Sequence, residues 1–419
     1  MNKPENTVCH VVIYDDETPR AEEWKEKLMT MGVPGLDIRV PSHEEIQSEL
    51  DELYERRKAV DDKVGIEGIK CALDAADILV VDYDLRHLEG HRDFATGEEI
   101  AYSARLFSKV KIIVVVNHPD MGLNNFDLTL QRDRNLKADV YIGHEQIANP
   151  VLWRRNLGHD GYHPWSWPAL LEDVWQFDKC LVQVRDNLDN ELLRYFGLDQ
   201  EETCPSPEML AFLGIRDPET TFRQIIKNGK PPPFVRPKDE VHLLADEDRL
   251  CRVLTSVLRK WFRKWILPSQ TVLADAPHLA SVLPWGLSDY TNQAHWDAIP
   301  KLGTDGKHEL ATLFRPEALQ HQFGRIEWIG RPTFFVQVIR NALETNDGLL
   351  TSFEYAKIPK ILFAEDLSRF ILSNTAIEYD LSLDGHSQVR AVCDPDAVPI
   401  VDRKFDPKAV IYVPQSLMV

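Results

Sequence analysis

With 419 residues, 43% of them hydrophobic and 27% charged, the chain is long enough for two or three domains with sizeable cores and has the make-up of an ordinary soluble protein. A formal net charge of -19 argues against a general polyanion-binding surface, though it leaves room for a local basic cluster. The six cysteines (Cys9, Cys71, Cys180, Cys204, Cys251, Cys393) contain no C-x-x-C pair, which suggests neither a disulfide framework nor a zinc site and fits reduced, buried thiols.

The amino-terminal MNKPENTVCHVVIYDDE lacks the basic-then-apolar pattern of a signal peptide. No apolar run approaches the roughly 20 residues of a membrane span, so no membrane association and a cytoplasmic location are expected. Residues 8–14 read as a short apolar strand ended by Asp15 and Asp16. Pro19 can open a helix, which continues over 20–31 and breaks at Gly32-Val33-Pro34-Gly35. A second strand is expected over 36–40. Ser42 with Glu45 fits a capping box, ahead of a polar helix over 43–59 and another over 66–75. Ile78-Leu79-Val80-Val81 ends at Asp82, which reads as a strand buried on both faces. A helix over 97–108, strands over 110–116 and 138–142, and a weak helix or loop over 121–130 complete this part. Strands alternating with helices predict an α/β fold, a doubly wound five-stranded parallel sheet with helices on both faces.

In such a sheet, ligands bind at the carboxyl ends of the strands. Asp15, Asp16 and Asp82 end neighbouring strands, so their carboxylates should meet there. Three acids in one pocket repel unless a cation sits among them, and oxygen ligands of this kind suit Mg²⁺. Carboxylates with a divalent ion form a site for a phosphoryl group, one carboxylate being the nucleophile.

Five pieces in order then carry a family resemblance: the acidic pair in VVIYDDE, the strand DILVVDYDL, Leu88-Glu89-Gly90 followed by Gly97-Glu98-Glu99-Ile100-Ala101, KIIVVVN, and ADVYIGHE. Residues 8 to about 145 resemble the receiver domain of two-component response regulators. The resemblance implies a flavodoxin-like fold and Asp82 as phosphoacceptor. It also implies Mg²⁺ held by Asp15, Asp16, Asp82 and the backbone carbonyl of Asp84, with a histidine kinase as phosphodonor. Two positions depart from the family. The usual Thr or Ser after the fourth strand falls on Val116, or on Asn117 if the register slips by one, and the usual Lys after the fifth falls on His144. A histidine is charged only in part near neutral pH and is a poorer counter-ion than an ammonium. Two readings follow: a working phosphoacceptor with a modified switch, and a degenerate, phosphate-independent receiver acting as adaptor or scaffold.

The expected domains are a receiver-like unit at 1–148, a Trp-rich helical connector at 149–236, and a mixed α/β unit at 237–419. The connector carries a long amphipathic helix over 168–196 and ends in the Pro-rich run 230–237. The last unit opens with a helix over 247–266 and continues with helices over 311–314 and 333–343 and strands over 360–364, 376–380, 388–392 and 409–413. Its leading role is that of an effector or partner-binding domain. An enzyme or nucleic-acid-binding output is the alternative, the latter resting on Arg259, Lys260, Arg263 and Lys264 interleaved with aromatics. On a helix, however, Leu254, Val257, Leu258, Trp261, Phe262 and Trp265 form one apolar stripe with bases beside it, the mark of a core helix with a solvated face, so nucleic acid is not favoured. His159, His163, His278, His295, His308 and His386 show no trustworthy metal spacing. Glu365-Asp366 after a strand-like run reads as the start of a helix over 367–372. No phosphate loop or hydrolase motif is present, and a homodimer is left open.

Overall fold

The structure is a computed structural model. It describes residues 8–62, 65–66, 68–85, 88, 96–117, 138–144, 147–148, 150–153, 169–227, 235–302, 307–345, 361–364, 367, 369–379 and 390–393. β1 (Cys9–Tyr14), β2 (Leu36–Arg39), β3 (Ile78–Asp82), β4 (Ile112–Asn117) and β5 (Val140–Gly143) form one all-parallel sheet in the order β2-β1-β3-β4-β5. β3 is buried at every residue, as an unbroken apolar run in a doubly covered sheet requires.

The period-two pleat sorts the side chains into two layers. Val11, Ile13, Ile78, Val80, Val114 and Val116 face Trp24 and Leu28 of α1 (Thr18–Thr30). Leu170, Leu171 and Val174 of α5 (Leu170–Asp186) close the same layer. Val12, Tyr14, Leu79, Val81, Ile113 and Val115 pack on the opposite side against α2 (His43–Asp61) and α3 (Gly97–Phe107). The capping box expected at Ser42 and Glu45 starts α2.

Between α5 and the end of the central core lie α6 (Leu192–Phe196), α7 (Pro207–Leu213), α8 (Gln224–Lys227), α9 (Pro237–Leu244) and α10 (Glu247–Trp261); the single turn α4 (Pro150–Trp153) precedes α5. A wider-wound π turn, Phe262–Ile266, continues α10. One buried cluster runs without interruption from α2 and α3 through α5 and α6 into α10. The end of the Pro-rich run and the residues just past it pack directly on α3. The Tyr102 hydroxyl donates to Asp239 (2.8 Å) and accepts from the Arg236 N–H (2.8 Å), and the Arg236 guanidinium donates to Glu99. Further on, β6 (Leu273–Asp275) pairs antiparallel with β7 (Thr333–Phe335). A four-stranded sheet follows in the order β10-β11-β8-β9, built from β8 (Ile361–Ala364), β9 (Arg369–Leu372), β10 (Ala376–Tyr379) and β11 (Arg390–Cys393).

Four sequence expectations are corrected. The described residues among 66–75 carry only a 3₁₀ turn, Ala72–Ala75, because Gly68 adopts φ +89°, which a helix cannot contain. The helix expected over 168–196 is two helices, α5 and α6. Asn187, Asp189 and Asn190 form a turn between them, with Asn190 N–H on the Asn187 carbonyl at 3.0 Å. The segment 333–343 divides into β7 and a helix, Val336–Thr345, its Thr-Phe-Phe start favouring a strand. The helix expected to start at 365–366 is not formed: Arg369–Leu372 is β9, paired antiparallel with β8, its Phe370 and Ile371 favouring a strand. The expectations over 89–90, 121–130, 154–167, 230–234, 384–387 and 409–413 lie outside the described residues. Cys9, Cys71, Cys180 and Cys251 are buried, Cys204 is exposed, and burial pushes the Cys9 thiol up to about 12. Among the described residues, no helix is long and apolar enough to cross a membrane.

Candidate acidic pocket at the carboxyl edge

Register places the acids. Tyr14 pairs with Val81, so Asp15 leaves β1 level with Asp82 at the end of β3. This is the point where strand order reverses, β2 lying on one side of β1 and β3 on the other. Asp15, Asp16 and Asp82 are 1%, 4% and 1% exposed, and one carboxylate oxygen from each lies within 4.8 Å of the other two. The three acids expected to cluster therefore do.

Arg20 lies among them. Its Nε donates to Asp15 Oδ2 (2.7 Å), and its Nη2 donates to Asp15 Oδ1 (2.8 Å) and Asp82 Oδ2 (3.0 Å). Asp16 Oδ1 stands 3.5 Å from the same Nη2. Asp15 Oδ1 also accepts the Glu17 N–H at 2.8 Å. The other oxygen of Asp82, Oδ1, is buried and has no hydrogen-bond donor. Burial pushes the Asp82 carboxyl up to about 7. Asp15 and, more weakly, Asp16 push the same way, while Arg20 pulls it down.

Two neighbours fix this geometry. Gly97 opens α3 against the end of β3, its N–H donating to the Tyr83 carbonyl at 2.8 Å. A Cβ at residue 97 would stand 2.1 Å from the Asp82 carbonyl oxygen, so only glycine permits the approach. Trp24 lies one helical turn beyond Arg20 on α1, and residues four apart share a face. Its indole N–H donates to His144 Nδ1 at 3.1 Å. His144 follows β5 directly, at the position where the family resemblance expects a Lys.

Val116 is buried and lies level with Asp82 in β4, and Asn117 is the last residue of that strand. No hydroxyl side chain therefore occurs at either position. Asp84 lies two residues past Asp82, in an isolated bridge with Thr96.

The basic run on α10 and the turn after it does not form an exposed patch. Arg259 and Lys260 are only 4% and 7% exposed. Arg259 donates to Asp173 (3.0 Å), Lys260 to the Ala138 carbonyl (3.2 Å), and Arg263 to Asp173. The expected solvated face is absent because α10 is enclosed by α5, α3 and α7, which bury nearly its whole circumference. These bases tie α10 to α5 and to the chain just before β5. Lys264 is half-buried. His278 is buried with Nδ1 2.5 Å from Asp275, the residue that caps its helix, and His295 is half-buried. His159, His163, His386 and the His308 side chain lie outside the described residues.

Sequence reasoning missed Arg20 as a member of the site. The available signal was its spacing, four residues after Asp16 in the first turn of a helix. Gly97 had been matched only as a helix start.

Fold and pocket together define an α/β protein with a buried acidic site at the switch point of its parallel sheet. Compared with known proteins, the chain matches no family model, no curated protein and no solved structure.

Proposed function

We propose that the chain is a regulatory protein of response-regulator type, in which Asp82 accepts a phosphoryl group and the change is passed to residues beyond 237. The observation that carries this reading is Asp82 Oδ1: a buried carboxylate oxygen without a donor, beside two further carboxylates at a sheet's switch point. The donor set is all oxygen and anionic, and the undersupplied Oδ1 fits a hard divalent ion such as Mg²⁺. Asp15, Asp16 and Asp82 would hold it, with the Asp84 carbonyl added by resemblance. When bound, the ion neutralises the charge that gathers between carboxylates and phosphoryl oxygens.

In the reaction Asp82 attacks the phosphorus of the donor. A C–O–P acyl phosphate forms, and the donor's P–N or P–O bond breaks. The electron pair leaves with the donor, an imidazole that takes up a proton when the donor is a phosphohistidine of a kinase. Gly97 supports a route to the rest of the chain. It is in contact with the Asp82 carbonyl, so a shift at the end of β3 bears on α3, and α3 carries Tyr102 and Glu99, the partners of Asp239 and Arg236.

Val116 and His144 favour a second reading, a phosphate-independent scaffold, since neither supplies the usual hydroxyl or ammonium. Incubation with acetyl phosphate and Mg²⁺, followed by intact-protein mass spectrometry, separates the two. Addition of one phosphoryl group to wild type and none to Asp82→Asn is expected. Unmodified wild type would remove the phosphoacceptor reading.

A further inference from the structure

The cation that three clustered carboxylates require is already supplied by the chain. Arg20 donates to both oxygens of Asp15 and to Oδ2 of Asp82, and stands 3.5 Å from Asp16. Its guanidinium is planar and permanently charged, and its fork matches a carboxylate edge. A basic residue in the first turn of a helix stands against the helix dipole, so the acids rather than α1 favour its position. A Mg²⁺ ion needs oxygens at about 2.0–2.1 Å and near-octahedral order. Those oxygens now accept N–H groups at 2.7–3.0 Å, and Asp15 has both of its own engaged. The guanidinium fork lies across the carboxylate edges where an ion would sit, and its fixed charge opposes a second cation there.

The closure is incomplete in two respects. Asp82 Oδ1, buried and without a donor, is the one Asp82 oxygen that Arg20 leaves untouched. The Arg20 side chain is 14% exposed, so it borders solvent.

We propose that Arg20 is a tethered cation that competes with a divalent metal ion for Asp15, Asp16 and Asp82. The arginine-closed pocket is the metal-free state, and metal binds only as the Arg20 side chain leaves. Divalent-ion affinity is then set by a residue of α1 as well as by the ligands. This rests on the reading of the trio as a cation site.

The test is binding, not phosphorylation. Full-length wild type, Arg20→Gln and Arg20→Lys are titrated with Mn²⁺, and the free ion is measured by electron paramagnetic resonance, with circular dichroism as the check on folding. Arg20→Gln is expected to bind Mn²⁺ roughly tenfold more tightly than wild type, because the competing fork is gone. Arg20→Lys, which keeps the charge but not the fork, should fall between them. If Arg20→Gln fails to fold, Arg20→Lys decides alone and must bind more tightly than wild type. Equal or weaker binding by a folded variant overturns the proposal. With Asp82 still phosphorylated in the presence of Mg²⁺, that result would leave the phosphoacceptor reading standing. No Mn²⁺ bound by any of the three at millimolar concentration overturns the cation site and the proposal together.

Discussion

Replacing Asp82 by Asn should stabilise the metal-free protein at mildly alkaline pH and change little in acid. Burial, reinforced by Asp15 and Asp16 and opposed by Arg20, lifts the Asp82 carboxyl from 3.8 to about 7. Between about pH 4 and pH 7 the folded chain therefore keeps a proton that the unfolded chain has released. Folding takes up that proton, so this group's contribution to stability falls as pH rises through the window. Below the window both states are protonated and the group contributes nothing. Above it neither is, and the full penalty of the buried carboxylate stands. A shift of about three units at 1.36 kcal/mol each gives roughly 4 kcal/mol.

Asn has nearly the shape of the neutral acid and never ionises. The stability difference between variant and wild type should thus be small near about pH 4 and approach roughly 4 kcal/mol in favour of Asn near about pH 8. Urea denaturation of both proteins across this range, with a chelator present, measures it. A difference that stays flat with pH, or an Asn variant less stable than wild type at the alkaline end, would refute the reasoning. Mg²⁺ added at the alkaline end should narrow the gap, since an ion that binds only the folded carboxylates stabilises wild type by mass action.

Two further substitutions probe the supports of the pocket. Gly97→Ala places a Cβ 2.1 Å from the Asp82 carbonyl oxygen, and backbone on both sides leaves little room to yield. A loss of about 1–3 kcal/mol or more is expected in thermal denaturation, with weakened Mn²⁺ binding in whatever folds; wild-type behaviour in both would show that the close approach does not matter. Tyr102→Phe removes the donor to buried Asp239 and the acceptor for the Arg236 N–H. It should cost about 1–3 kcal/mol in urea denaturation, and no measurable loss would mean that α3 and α9 are not held together by this hydroxyl.

The parallel sheet was legible because its strands are short, apolar on both faces and separated by helical periodicity. The three acids were legible because each is the first or second charge after such a strand, and parallel pairing makes strand ends neighbours. The errors fall where a local signal competes with periodicity. Gly68 turns residues 68–71 away from a helix, and Asn187 to Asn190 break an amphipathic pattern that otherwise runs on to Phe196. The bases on α10 misled in another way. Interleaved with aromatics, they read as a face for solvent, yet Asp173 and the Ala138 carbonyl lie far from them in sequence and could be matched to them only in space. Charge on a helix reports exposure only when no buried acid waits opposite.

Arg20 shows the same limit at the site itself. A base four residues after an acid on a helix is ordinarily a surface pair worth a few tenths of a kcal/mol. Here the acid is not on the helix surface. Asp16 belongs to the strand end, and the turn at Glu17 brings the first turn of α1 back over the carboxyl edge of the sheet. The same face of α1 then delivers Arg20 to the acids and, one turn on, Trp24 to His144. Rotation of the Arg20 side chain alone would free the carboxylates and leave the Trp24 hydrogen bond intact, whereas movement of α1 as a body would break both. A pocket neutralised from a helix rather than from a strand can thus open without disturbing the sheet, which in a core this fully buried is the less costly place for change.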